Sequence, residues 1–206
     1  MGVVSESPTP RWFSETSPGH SQWYIERFRT MAADGVDLAG EARFIDTLVA
    51  PGSRVLDAGC GPGRLSAELH ARGHTVVGVD VDPELIEAAR TDHPGPTWVN
   101  ADLAAFDLTE HGIGEPFDAA LCAGNVMPFL APGTGAAALT NLRRHVRSDG
   151  AIAIGFGTDR KYELEQFDSD IASAGLVVEH RFSTWDLRPW RDGATFAVTV
   201  LRVPEA

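Results

Sequence analysis

The chain is predicted to fold as an α/β protein, a doubly wound sheet of mostly parallel strands, and three features predict it. From Arg54 onward, apolar strands alternate with amphipathic helices, which is what a parallel sheet covered by helices on both faces requires. The segment "TVVGVD" is almost continuously apolar, as a strand buried on both faces should be. Finally, "RVLDAGCGPGRLSAELHARG", residues 54–73, sets Gly59, Gly61 and Gly63 between a strand and a helix.

The elements follow in order. "MGVVSESPTP" through "TSPGH" is rich in Ser, Thr, Pro and Gly, with Trp12 and Phe13 as its bulky anchors, and reads as a loose arm. "SQWYIERFRTM", Ser21 to about Met31, predicts a short amphipathic helix using Trp23, Ile25 and Phe28; a second helix covers about Leu38 to Val49 and stops before Pro51 and Gly52. "RVLDA" is the first strand of the sheet. In the helix after it, Leu65 and Leu69 share a face and Gly73 serves as C-cap. "TVVGVD" is the second strand, and Asp82 and Pro83 suit N-cap and N1 of a helix reaching about Arg90. "TWVNAD", "FDAALCAG" and "AIAIGFG" give three more strands, with a helix from about Gly135 to Val146 before the last of them. A helix near Lys161 to Ala174 precedes the terminal strands "LVVEHRFST" and "TFAVTVLRV". The expected division is a flexible arm and helical lid over residues 1–37 and a single α/β domain over residues 38–206, with no internal repeat and no linker.

Bulk properties exclude several function classes. Lys and Arg number 17 against 29 for Asp and Glu, a formal charge of -12, so there is no basic patch to neutralise a phosphate backbone and nucleic acid is not the expected partner. No apolar run approaches the roughly 20 residues that span a bilayer, and no basic-then-apolar leader opens the chain, so no membrane association and a cytoplasmic location are expected. Cys60 and Cys122 are the only cysteines, which is no disulfide framework. His70 and His74 stand at a metal-ligand spacing, but Gly73 ends the helix between them and no Cys or carboxylate completes a set, so no metal is expected.

The glycine turn points to a ligand. Glycines permit sharp turns and direct approach to peptide N–H groups, and the following helix directs its positive end at whatever lies there. Asp80 ends the second strand 23 positions after Asp57, where a mononucleotide-binding unit sets a carboxylate to accept from ribose hydroxyls. A nicotinamide fingerprint, G-x-G-x-x-G, would need glycine at position 64, where Arg64 stands; the spacing here is G-x-G-x-G, with Pro62 stiffening the turn. In this respect "VLDAGCGPG" resembles the first motif of the class I S-adenosylmethionine-dependent methyltransferases, as a small bacterial-type domain, over about Arg54 to Phe156. The resemblance implies a Rossmann-like seven-stranded sheet of order 3-2-1-4-5-7-6 with strand seven antiparallel. It implies S-adenosyl-L-methionine as cofactor, with Gly59, Cys60, Gly61 and Gly63 along its methionyl and ribose portion and Asp80 on its ribose. It further implies Val81 against adenine, Asp102 accepting from the adenine amino group, the Leu103 amide reaching a ring nitrogen, and Ala123 at the end of strand four. Asp57 either contacts the cofactor or fixes the glycine loop through backbone hydrogen bonds.

In an open α/β sheet the ligand lies beyond the carboxyl ends of the strands, so the loops there are candidates for the acceptor. After the fourth strand, Asn125 offers an amide, or caps the loop, and Met127 and Phe129 offer an adaptable apolar wall. After the sixth, Trp185, Arg188 and Trp190 either frame the acceptor or pack over the core edge. His20, Tyr24 and Arg27 come near the cofactor if their helix closes over it, and His20 has the pKa of a general base; with Asn125, His20 and Tyr24 are the catalytic candidates. The fourth strand lacks the Asn/Asp-Pro-Pro-aromatic motif of amino-methylating nucleic-acid enzymes, and neither cysteine has the Pro-Cys setting of a cytosine C5 enzyme. The expected activity is methyl transfer to a small molecule by a monomer or homodimer. The alternatives are an NAD(P)-dependent oxidoreductase and a non-catalytic S-adenosylmethionine-binding module.

Overall fold

In the computed structural model, which describes residues 8–205, the chain runs α1 (Arg11–Ser14), α2 (His20–Ala33), α3 (Gly40–Leu48), β1 (Arg54–Ala58), α4 (Arg64–Ala71), β2 (Thr75–Asp80), α5 (Pro83–Asp92) and β3 (Thr97–Asn100). A 3-10 turn (Leu108–His111) follows, then β4 (Phe117–Cys122), α6 (Val126–Phe129), α7 (Gly135–His145), β5 (Val146–Gly157), α8 (Leu164–Ser173), β6 (Val177–Phe182) and β7 (Phe196–Arg202). The seven strands form one sheet of order β3-β2-β1-β4-β5-β7-β6, as the resemblance implied. β7 pairs antiparallel with both β5 and β6, so β6 runs with the parallel strands.

Side-chain alternation divides the core into two layers. Leu56 and Ala58 of β1 and Ala120 and Cys122 of β4 join the layer beneath α7 and α8. Val55, Ala119 and Leu121 face the opposite layer, with Phe44 and Ile45 of α3 and Leu65 and Leu69 of α4. Leu56 and Leu121 are fully buried, so both faces of the central strands are covered. The chain order reverses between β1 and β4, and the turns leaving these strands diverge there, opening a crevice at their carboxyl ends.

The described part of the amino-terminal arm is not loose. Trp12 on α1 donates its indole Nε1–H to Asp82 Oδ2 at 2.6 Å, and Ser21 donates to the same oxygen. Ile25 of α2 is buried against Leu85 and Ala88 of α5, and Arg29 pairs with Asp92 at 2.8 Å. One carboxylate, Asp82, both caps α5 by accepting from the Glu84 N–H at 2.8 Å and ties the arm down, so the Pro- and Ser-rich composition is overridden by two side-chain bonds. The first seven residues of the expected arm lie outside the described residues.

Two tryptophans expected at the acceptor site have other work. Trp185 packs edge-on against Phe44 at 5.3 Å between centroids and fills the space over Gly155, whose missing Cβ would lie 2.3 Å from the indole. Trp190 lies under the Arg181 guanidinium at 5.8 Å, and the exposed Arg188 pairs with its neighbour Asp186 at 3.3 Å.

Gly63 shows why the third glycine of the turn is needed for packing. Its φ is +90°, and a Cβ there would stand 2.6 Å from the Trp98 ring and 3.0 Å from Ala89. Gly63→Ala should therefore lower unfolding free energy by about 1–3 kcal/mol from the left-handed backbone alone, with the clash adding to it. Chemical denaturation of the variant checks this, and a wild-type midpoint would contradict it.

Candidate cofactor-binding site

A cleft at the carboxyl ends of β1, β2 and β4 holds a cavity of about 70 Å³ that widens into an open mouth. Its floor is Gly59, Gly61, Asp80, Val81, Asp102, Leu103 and Ala123; its far wall is Gly124, Val126, Phe129 and Leu130; Leu85, Pro10, Trp12 and Tyr24 close it. Seven of the ten residues expected to bind the cofactor thus line one space.

Asp80 is the centre of the floor. Its Oδ2 accepts from the Gly61 N–H at 2.8 Å and its Oδ1 from the Asp82 N–H at 2.9 Å. A carboxylate offers about four acceptor sites, so each oxygen keeps capacity for a further donor in the cavity. Burial pushes the carboxyl up to about 6, against the two backbone N–H bonds that pull it down. Asp102, half-buried, accepts from the Ala104 N–H at 2.9 Å and presents a second carboxylate along the wall from Asp80.

The other three cofactor candidates do not line the cavity. Asp57 is buried and accepts from Ser66 Oγ on α4 at 2.7 Å; burial pushes it, too, up to about 6. It ties the end of β1 to α4 through a side-chain hydroxyl, across the glycine turn that joins them. The Cys60 thiol turns into a cluster with Ile86, Ala89 and Trp98, where burial and the nearby Asp80 and Asp57 carboxylates raise its pKa. Gly63 is packed as described above. Gly59, although on the cavity floor, is also constrained by packing, since a Cβ there would meet Val126 at 2.3 Å.

On the acceptor side, Phe129 lines the cavity, whereas Met127 is buried beneath α6 and faces a separate depression. Asn125 has a left-handed backbone, φ 66°, and its Oδ1 accepts from the Gly157 N–H at 2.7 Å, which ties the β4 turn to the end of β5. His20 stacks among Trp12 and Trp23 and is absent from the cavity wall, and Arg27 sits over the exposed Trp23 ring. Tyr24 does reach the cavity, but burial raises its phenol pKa above the ordinary value, so it stays protonated and is no general base near neutrality. Sequence reasoning missed Pro10, Leu85, Gly124, Val126 and Leu130 as lining residues and gave Trp12 only as an anchor.

Floor, carboxylates and turn together define a nucleotide-binding α/β protein of the doubly wound class. A methyltransferase domain model matches residues 55–150. A TehB-like SAM-dependent methyltransferase from Corynebacterium glutamicum is 41% identical, superposes with a TM-score of 0.84, and the alignment covers 90% of this chain and 99% of that one. The chain therefore belongs to the S-adenosylmethionine-dependent methyltransferases, whose cofactor is S-adenosylmethionine, and the nicotinamide alternative falls. Among curated relatives, magnesium-protoporphyrin O-methyltransferase of Rhodobacter capsulatus is 34% identical over 97 residues, 47% of this chain and 42% of that protein. Ribosomal protein L11 methyltransferase of Symbiobacterium thermophilum is 37% identical over 91 residues, 43% of this chain and 30% of that protein. These matches span less than half the length of either relative.

The residues fit the cofactor, because Asp80 offers unsaturated acceptor capacity toward the cavity and Gly61 faces it with no side chain. A titration of S-adenosylhomocysteine against pH tests this. Ribose hydroxyls donate to the ionised form of Asp80, so affinity should fall as pH drops below about 6, by up to about tenfold per unit for a single proton. The unliganded protein has the opposite dependence: with folded values near 6 against 3.8, Asp57 and Asp80 contribute stability below about 3.8 that is lost as pH rises through about 6. Asp80→Asn should flatten the affinity profile and weaken binding by roughly 1.5–3 kcal/mol. An unchanged profile would remove Asp80 from the ribose site.

Proposed function

We propose that this protein transfers a methyl group from S-adenosylmethionine to a small-molecule acceptor. The observation that carries the reading is the Asp80 carboxylate, bonded to the Gly61 amide and still open to the cavity at the β1–β4 switch point. Asp80 receives the ribose hydroxyls, Val81 and Leu103 enclose the adenine, and Asp102 accepts from its amino group.

S-adenosylmethionine supplies a methyl group already activated as a sulfonium, so the protein's tasks are alignment and exclusion of water. Trp12, Phe129 and Leu130 give the cavity an apolar, aromatic side on which a cationic sulfonium is favoured. With Tyr24 protonated, His20 off the wall and Asp80 and Asp102 given to the cofactor, no other titratable side chain among the described residues lines the cavity, which suits an acceptor whose nucleophile is already deprotonated.

The acceptor cannot be carried over from the relatives, since one is named for a porphyrin and another for a ribosomal protein. Support for a small molecule comes from the chain itself. A net charge of -12 disfavours nucleic acid, and Trp12 of α1 and Tyr24 of α2 roof the cavity. Within the expected division at residue 37, Pro10, Trp12 and Tyr24 supply that roof and the segment from Leu38 onward is the catalytic domain.

Incubation with methyl-labelled cofactor and cell extract should put label into the low-molecular-mass fraction and generate S-adenosylhomocysteine. Label confined to protein or nucleic acid would refute the acceptor class, and no S-adenosylhomocysteine would mark a non-catalytic binding module. A chain beginning at Leu38 loses α1 and α2 but no strand, so it should still unfold cooperatively, with circular dichroism reduced only by the helical signal of those two elements, yet retain little methyl transfer. Transfer at the full rate would deny the roof any part in catalysis.

A further inference from the structure

Tyr24 stands in the space that the reading above gives to the cofactor. A Cβ built on Gly61 would lie 3.5 Å from Tyr24 Cε1, and one built on Gly124 would lie 3.7 Å from Tyr24 Oη. With a Cα–Cβ bond of about 1.5 Å, the ring edge is no more than about 5 Å from the Gly61 Cα, and the hydroxyl is scarcely farther from that of Gly124. A ligand atom touching both sides would need them roughly 7 Å apart, two van der Waals contacts. Nothing can therefore lie between Tyr24 and either glycine in this conformation. Gly61 belongs to the turn after β1 and Gly124 to the turn after β4, so the ring spans the switch point itself.

We propose that Tyr24 is a gate that, in the conformation described, stands in part of the cofactor cavity and swings out when the methionyl portion of the cofactor enters. This rests on the cofactor reading above. The ring moves and the helix stays. Ile25, the next residue, is 3% exposed and packed between Leu85 and Ala88, and Ser21 and Trp12 are bonded to Asp82. Tyr24 itself is held by aromatic and apolar contacts alone, edge-on to Phe28 and Trp12 at 4.8 and 5.5 Å between centroids, beside His20 and Trp23 at 6.3 and 6.5 Å, and against the Ile25, Leu85 and Ala88 cluster. The hydroxyl makes no hydrogen bond to any described residue that its rotation would break. The gate lowers apparent affinity by the fraction of time it is closed. After transfer, its return competes with the demethylated product for the same space, which favours release.

Stopped-flow binding of S-adenosylhomocysteine to the full chain tests the gate. In the wild type the observed rate should level off with ligand concentration, limited by the swing. In Tyr24→Ala it should keep rising, with association about tenfold faster and affinity no weaker. Tyr24→Phe keeps the ring and should keep the plateau. Slower or unchanged association in Tyr24→Ala with weakened affinity would overturn the gate and make the ring a wall of the bound site. A wild type that binds no S-adenosylhomocysteine would instead overturn the cofactor reading, and the gate with it. A second measurement needs no variant. The chain has two tyrosines, so fluorotyrosine labelling gives two signals, Tyr24 and the buried Tyr162. Ligand should shift the Tyr24 signal to a solvent-exposed position, and a signal left unmoved would contradict the proposal.

Discussion

Asp80 is held by two backbone N–H groups, one from the glycine turn and one from the start of α5, and the geometry of the site depends on that pair of bonds. The bond to Gly61 pulls the turn across the end of β2; the bond to Asp82 fixes the residue that caps α5. Asp82 in turn receives Trp12 and Ser21 from the amino-terminal segment. A chain of hydrogen bonds thus runs from the cavity floor to its roof through two carboxylates separated by one residue. Burying a carboxylate at Asp80 is costly, as its raised pKa reflects, and a free backbone donor at each oxygen offsets only part of that cost. Donors on a bound ribose would supply more.

The three glycines of the turn serve different ends. Gly59 and Gly63 are glycine because Val126 and Trp98 occupy the space their side chains would need. Gly61 alone has its open side toward the cavity, with Tyr24 beyond it. The same division holds among the acids: Asp57 braces α4 through Ser66, while Asp80 and Asp102 face the ligand space. A motif that reads as one binding signature is, physically, a packing constraint around a small number of ligand-facing groups.

The sheet was legible because periodicity reports it directly. "TVVGVD" and "FDAALC" are buried on both faces, and no polar pattern disguises them; the strand order followed from the family that the glycine turn resembles. The roof and the acceptor side were harder to read. α1 is four residues long and α2 has one buried residue, so neither has the repeating apolar stripe that marks a core helix, and their docking depends on two side-chain bonds to Asp82. The sequence leaves Trp185 open between acceptor site and core edge, and sets Met127 on the acceptor wall, because a large apolar residue after a strand can turn toward a ligand or back into the core. Only the missing side chain at Gly155, 30 positions earlier in the sequence, tells which way Trp185 goes. Asn125 carried a real signal, but for a left-handed turn that secures Gly157, not for an acceptor contact.

A crystal structure of the full chain with S-adenosylhomocysteine tests the central claim most directly. The account predicts both ribose hydroxyls on the Asp80 carboxylate, with its bonds to the Gly61 and Asp82 amides retained and adenine between Val81 and Leu103. A ligand bound elsewhere, or in this cavity with Asp80 turned away from the ribose, would contradict it.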